Sequence, residues 1–297
     1  MSALTIGSEL VDANGLRFHV ATCGTGERLA LFLHGFPESS YSWRHQMPLL
    51  ARLGYRCWAP DLRGYGQTTR PLRLQDYAIE TLMNDVAGLI DAAGAQSTLL
   101  VAHDWGAIIA WYFAIRQLRP LERLVIMNVP HPAVMENVLR TAKQLRRSWY
   151  ALFFQIPALP EWLMGLGHAR AIRGAFLGSA VDKTRFPDEV LRLYQDNATR
   201  PGALTAMLNY YRALGRGGGG QRQRALGYPI IETPTLMVWG EEDVALCKET
   251  TYGTDAYVRH LQIRYLPGVS HWVQQEAPEK VNAILEAWLS DRPLPPA

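Results

Sequence analysis

TLLVAHDWGAIIAWYFAIR, residues 98–116, decides how the rest of the chain is read. Its first six residues are an apolar run of strand length, as expected of a strand covered on both faces. From Trp105 the apolar residues continue well beyond strand length, which predicts a helix ending near the basic Arg116. Between the two stands Ala102-His103-Asp104-Trp105-Gly106, an acid with a small residue two positions away on each side. A strand turning this sharply into a helix brings two backbones together, so the flanking side chains must be small and the central one is presented at the strand end. Aspartate also commonly caps helices, so this segment alone leaves Asp104 either a cap or a presented carboxylate.

The apolar strand pattern recurs at 29–35 (LALFLHG), 55–60 (YRCWAP), 121–129 (LERLVIMNV) and 235–240 (TLMVWG). Helical periodicity lies between these runs, at 42–54, 79–94 and 105–118. Strand and helix alternate, which predicts an α/β protein with a mostly parallel, doubly wound sheet. Two short strand-like runs, Ser8 to Asp12 and Leu16 to Thr22, flank Asn14-Gly15 and predict an antiparallel hairpin at the start. After Val129 the alternation stops, and 136–152, 187–197 and 201–214 read as helices. The chain therefore divides into a core at 1–130, an inserted helical cap at 131–227 and the rest of the core at 228–297. GRGGGGQRQR (215–224) reads as a flexible basic loop, since the Lys-Ser/Thr of a phosphate cradle is missing.

Composition excludes several classes. Of 297 residues, 48% are hydrophobic and 19% charged, unlike a disordered, collagen-like or disulfide-framework chain. The net charge of +3 conceals an asymmetry: residues 131–230 hold 14 Lys/Arg and 6 Asp/Glu, or +8, leaving 3 − 8 = −5 for the remainder. That excess reads as a solvated outer face. Cys23, Cys57 and Cys247 fit neither a metal nor a disulfide spacing and read as small buried hydrophobes in a reducing compartment, so a cytoplasmic location is expected. The N-terminus lacks the basic and apolar regions of a secretory signal. The longest apolar stretch, Tyr150 to Gly167, is interrupted by Gln155, Pro157, Pro160 and Glu161, so neither a spanning helix nor a membrane partner is expected. Scattered arginines without a recognition motif argue against nucleic acid.

Five ordered segments resemble the α/β-hydrolase superfamily, in the branch of epoxide hydrolases and haloalkane dehalogenases that uses an aspartate nucleophile. HGFPESSYSWRHQ (34–46) is similar to the branch's His-Gly-x-Pro loop, DLRGYGQTTRP (61–71) to the loop after its next strand, and HDWG (103–106) to its nucleophile elbow, with Ala102 where glycine is usual. WGEED (239–243) and GVSHW (268–272) resemble the segments that supply the acid and the histidine. The resemblance implies Asp104 as nucleophile, Asp243 as acid and His271 as base, with the backbone N–H groups of Phe36 and Trp105 as oxyanion hole. His34, His103 and Asn128 read as structural neighbours. A carboxylate, already ionised near neutrality, attacks saturated carbon unaided; the resulting ester then needs water activated by His271, whose tautomer Asp243 would hold.

The leaving group separates epoxide from halide. A halide needs polar hydrogens, and Phe36 stands where dehalogenases of this branch carry an Asn, so only Trp105 fits that use. An epoxide develops an alkoxide, which a phenol can protonate. Residues 146–161 and 208–214 resemble the cap segments that carry such phenols, mapped to Tyr150 and Tyr211, with one of Trp149/Tyr150 and one of Tyr210/Tyr211 expected to face the pocket. Trp149, Phe153, Phe154, Trp162 and Met164 are expected to form its apolar wall. The expected function is hydrolysis of a hydrophobic epoxide to a vicinal diol through an ester on Asp104, by a monomer or homodimer needing no cofactor or metal. A haloalkane dehalogenase and a non-enzymatic ligand receptor on the same fold are the alternatives.

Overall fold

A computed structural model describes residues 4–138 and 142–296. Strands β1 (Gly7–Ala13), β2 (Leu16–Cys23), β3 (Arg28–Leu33), β4 (Tyr55–Pro60), β5 (Thr98–His103), β6 (Leu121–Met127), β7 (Thr235–Gly240) and β8 (Leu261–Leu266) form one sheet in the order β1-β2-β4-β3-β5-β6-β7-β8. β1 and β2 form the hairpin expected around Asn14-Gly15, and β2 meets β4 antiparallel. Every pairing from β4 to β8 is parallel. The chain leaves β3 for β4 on one side and later returns to β5 on the other. The connections that follow β3 and β5 therefore part to opposite sides at a switch point, where an open parallel sheet leaves a crevice for a ligand.

The helices are α1 (Met47–Arg52), α2 (Ile79–Ala92), α3 (Asp104–Arg116), α4 (Pro132–Val138), α5 (Ala142–Arg147), α6 (Trp149–Phe153), α7 (Leu159–Ser179), α8 (Asp188–Thr199), α9 (Ala203–Gly215), α10 (Gly219–Ala225), α11 (Val273–Glu276) and α12 (Pro278–Leu289). α4 to α10 all lie between β6 and β7. α3 is apolar around its whole circumference, and ten of its thirteen residues are buried, as befits a helix enclosed on all sides. The three cysteines are buried and unpaired.

Four expectations change. The helix read at 42–54 shrinks to α1, preceded by a single 3-10 turn at Ser40–Trp43, because Pro48 at its second position fixes where the helix can start. The helix read at 136–152 is divided among α4, α5 and α6, with residues 139–141 outside the described residues. The expected loop at 215–224 contains α10, whose polar residues are anchored: Arg222 pairs with Glu80 at 2.9 Å and Arg224 with Glu136 at 2.9 Å, while Gln223 accepts from Arg116 at 2.8 Å. Those contacts offset the low helix propensity of its glycines. They also show that the cap's positive charge is not only a solvated face. Lastly, α7 was not read from the sequence and is two helical segments, broken where Gly167, His168 and Ala169 successively take positive φ. His168 is held there by Asp196 at 2.7 Å, and its carbonyl accepts from Gln195 at 2.6 Å.

Beneath the cap, Arg63 makes a bidentate contact with Asp85 at 2.7 and 2.5 Å, both side chains being buried. Asn14 also donates to Asp85, at 2.7 Å, and the cap residue Tyr210 donates to the Arg63 carbonyl at 2.8 Å. Asp85→Ala strands a buried guanidinium, so it is expected to lower stability by about 3–5 kcal/mol in urea denaturation. Replacing both partners by apolar residues (Arg63→Met with Asp85→Leu) should cost clearly less, because no uncompensated charge remains.

Candidate active site

Asp104 is the first residue of α3 and has φ of 46°, a conformation rarely taken by residues with a Cβ and maintained only where the surroundings enforce it. The enforcement is close packing. A Cβ on Gly106 would lie 2.2 Å from the Leu33 carbonyl oxygen, and one on Gly35 would lie 2.3 Å from the Asp104 Cβ. Only glycine lets β3, its following loop and the start of α3 approach this closely. The Phe36 N–H donates to Asp104 Oδ1 at 2.7 Å, and the other carboxylate oxygen faces His271 Nε2 at 3.6 Å. His271 Nδ1 lies 2.6 Å from Asp243 Oδ2. Asp104 follows β5, Asp243 follows β7 and His271 follows β8, so three parallel strands deliver these side chains to one edge of the sheet.

Asp243 is fully engaged. Oδ1 accepts from the N–H groups of Ala245 at 2.7 Å and Leu246 at 2.9 Å, as a helix-capping aspartate would. Oδ2 faces both His271 and the Asn128 side-chain amide, the latter at 2.7 Å. Burial works against its negative charge, but the His271 charge and these donors hold it below the usual carboxylate range. The same opposition acts on Asp104, where burial is outweighed by the contact with His271, that residue's charge, the charge of His103 and the Phe36 N–H. Burial alone would lower His271; the charge of Asp243 and the contacts with both carboxylates instead raise it well above the ordinary histidine value. The resting site is an imidazolium between two carboxylates.

These groups open onto a cavity of about 510 Å³ between core and cap. Phe36, Phe153, Phe154 and Met164 line it, and Tyr150 and Tyr211 reach it from α6 and α9 together with Asp104 and His271. Burial pushes both phenols upward, reinforced by the negative charge of Asp104, so they stay protonated across the neutral range. Tyr210 faces away, as expected of a neighbour on the same helix. Trp149 departs from that expectation: it lines the cavity alongside Tyr150 because it sits at the rim, 63% exposed. Trp162 is not among the lining residues and points to the surface. Trp105 is buried behind the cavity, with its ring 4.9 Å from that of Tyr211 in an edge-on arrangement.

Sequence reading missed several contributors. Asn128, read as a neighbour, clamps Asp243 and accepts from the Gly240 N–H at 2.9 Å; its place at the end of a parallel strand was the available signal. Behind the elbow, buried Glu38 accepts from the Gly35 N–H, His103 Nδ1, Gln274 and Gln275. His103 Nε2 in turn donates to the His271 carbonyl at 2.8 Å, so this polar group fixes the backbone of the His271 loop. Ala171, Ala175 and Ser179, spaced one helical turn apart on α7, line the far wall of the cavity. Nothing in the sequence tied that helix to the pocket.

Residues 31–278 match the family model of the α/β-hydrolase fold. The chain is 36% identical over 288 residues to epoxide hydrolase 4 of Mus musculus, a match covering 95% of this chain and 78% of that one. It is 31% identical over 319 residues to epoxide hydrolase A of Mycobacterium tuberculosis, covering 95% and 96% respectively. Among solved structures, a variant of an epoxide hydrolase from Bacillus megaterium, complexed with its diol product, superposes with a TM-score of 0.87 at 31% identity, over 95% of this chain and all of that one. By family model, by identity along nearly the whole chain and by fold, this protein belongs to the α/β-hydrolase superfamily, in its epoxide hydrolase branch.

Proposed function

We propose that the protein converts a hydrophobic epoxide and water into a vicinal diol through an ester on Asp104. The observation that carries this reading is the placement of an anionic carboxylate and two protonated phenols on one apolar cavity, with an imidazole and a second carboxylate behind the first. An epoxide fills that space with its carbon toward Asp104 and its oxygen toward Tyr150 and Tyr211. The carboxylate attacks, the C–O bond breaks, and a phenol gives its proton to the departing alkoxide, which is more basic even than a buried phenol. With Asp104 neutralised as an ester, the resting proton of His271 passes to the phenolate through solvent; the neutral imidazole then takes a proton from water, and the hydroxide adds to the ester carbonyl. The Phe36 N–H, already on Asp104 Oδ1, is suited to the oxyanion, with the Trp105 N–H as its expected partner. Collapse releases the diol and restores the carboxylate, and the proton taken from water stays on His271, which regenerates the imidazolium of the resting site. Asp243 holds the imidazole and stabilises its charged form. The apolar wall of Phe36, Phe153 and Phe154 favours a substrate with a hydrophobic substituent.

A halogenated alkane is less well served, because the Phe36 side chain supplies no donor for a halide. Incubation with both substrate classes is expected to give diol from the epoxide; halide release without diol formation overturns the reading.

Replacing His271 by Gln should leave ester formation intact and slow its hydrolysis by about 10²–10⁴-fold. Mass spectrometry after epoxide exposure then finds the substrate's mass on the peptide containing Asp104. Tyr150→Phe and Tyr211→Phe are each expected to slow ester formation, and the double variant to lose about 10²–10⁴-fold, as read by single-turnover quench.

The pH dependence of the two steps differs in a definite direction. Asp104 is held below the ordinary carboxylate range, so acid must go below about pH 4 before the nucleophile is protonated. Esterification removes its charge, and with it one of the influences that keep His271 protonated. Hydrolysis needs neutral His271, so it fails first as pH falls. Turnover should therefore decline at a higher pH than ester formation, and quenched samples at acid pH should accumulate ester; parallel decline of both steps contradicts this assignment.

A further inference from the structure

The segment Trp149–Leu166 carries an unusual surface. Trp149, Leu152 and Trp162 are 63%, 69% and 62% exposed, and Ile156, Leu159, Leu163 and Leu166 are exposed as well. Two tryptophans and five aliphatic side chains within eighteen residues far exceed the scattered apolar exposure of an ordinary surface. The one charged residue in the segment, Glu161, is engaged by Arg212 at 2.6 and 3.0 Å, so no unpaired acid interrupts it. Arg146 and Arg170 flank the segment in sequence. Arg216 follows Gly215, where an added Cβ would lie 3.6 Å from the Gln155 side chain, itself hydrogen-bonded to the Tyr211 carbonyl at 3.2 Å. All three arginines are exposed and without an ion-pair partner among the described residues. Trp149 and Leu163 belong both to this surface and to the lining of the active-site cavity, as does exposed Val244 across the opening.

We propose that this face of the cap docks on an anionic lipid surface, so that the cavity opens toward the bilayer rather than toward water. Tryptophan is favoured at the boundary between headgroup and acyl chain, and exposed arginines beside an apolar face match anionic headgroups. A symmetric dimer through the same face suits the charges less well, because each arginine would meet its own counterpart's surroundings with no free acid in the segment to receive it. Among the described residues no helix is long and apolar enough to cross a membrane. That fact bears on crossing a bilayer and not on resting against one, and the proposal departs here from the sequence expectation of no membrane partner. The docking rests on the epoxide reading only for the cargo: a lipophilic epoxide dissolved in the bilayer would enter the cavity without passing through water.

Sedimentation of the full chain with phosphatidylcholine vesicles containing about 30 mol% phosphatidylglycerol provides the test. Binding is expected, weaker on phosphatidylcholine alone and weaker in about 0.5 M salt. The variant carrying Trp162→Ser and Leu152→Ser, neither of which lines the cavity, should lose binding by about tenfold or more. Circular dichroism certifies that this variant is folded, which keeps failure of docking separate from failure of the epoxide assignment. Arg170→Glu alone should abolish the preference for anionic vesicles. Absence of sedimentation with either vesicle, equal sedimentation of the folded double variant, or a dimer that the double variant dissolves without any vesicle binding each overturns the proposal.

Discussion

The structure is organised around a full negative charge kept where little water reaches it. The Asp104 side chain is only 15% exposed, and an unpaired carboxylate in such a place would take up a proton and cease to be a nucleophile. Three features prevent this. The Phe36 N–H meets one oxygen, the His271 ring faces the other, and the strained backbone of the elbow pushes the carboxylate toward both. Each depends on a different part of the chain: the Phe36 loop on β3, the elbow on β5, and His271 on β8. The sheet topology that sets β3 beside β5 and sends their following connections to opposite sides is therefore an electrostatic requirement as much as a packing solution.

A second carboxylate repeats the problem one residue removed. Asp243 is fully buried, yet it is surrounded by two backbone N–H groups, the Asn128 amide and His271. With its first oxygen satisfied by the backbone, its second can be committed to the imidazole and the amide, and the ring has little freedom to rotate. The cap donates to this row through Arg147, on the Asp243 carbonyl at 2.7 Å. It contributes two phenols whose neutrality is enforced by the same burial that threatens the carboxylates, so one dry cavity favours opposite protonation states in the two kinds of side chain.

Much of this was legible before any coordinates. The buried strands announce themselves as apolar runs because a parallel strand covered by helices has no polar face to display, and β5 followed by α3 could be read nearly to the residue. The spacing of small residues around Asp104 also carried real information, since Gly106 has no room for a Cβ. What escaped the sequence was set by contacts distant along the chain. Nothing local distinguishes α10 from a glycine-rich loop until Glu80 and Glu136 arrive to hold its arginines. The break in α7 follows from the docking of His168 on α8. Trp149 and Trp162 both stand on cap helices, and the contact of Tyr150 with Tyr211 brings the first to the rim of the cavity while the second lies outside it. Asn128 was read as a structural neighbour because its residue type alone does not mark a catalytic role, and its role emerges only when Asp243 is placed beside it.

The placement of the cap between β6 and β7 bears on how the protein is made. β6 pairs with β5 on one side and β7 on the other, and Leu124 lies opposite Thr235. During synthesis the whole cap leaves the ribosome before the strand that covers this edge exists. Until then β6, whose inner residues are buried on both faces in the finished sheet, presents an open row of backbone donors and acceptors, the kind of template on which nascent chains stick to one another. The ordering has a chemical side as well. A nascent chain that has completed the cap already holds Asp104 and both tyrosines, while Asp243 and His271 are still to come, so the half of the site that forms the ester is translated before the half that clears it.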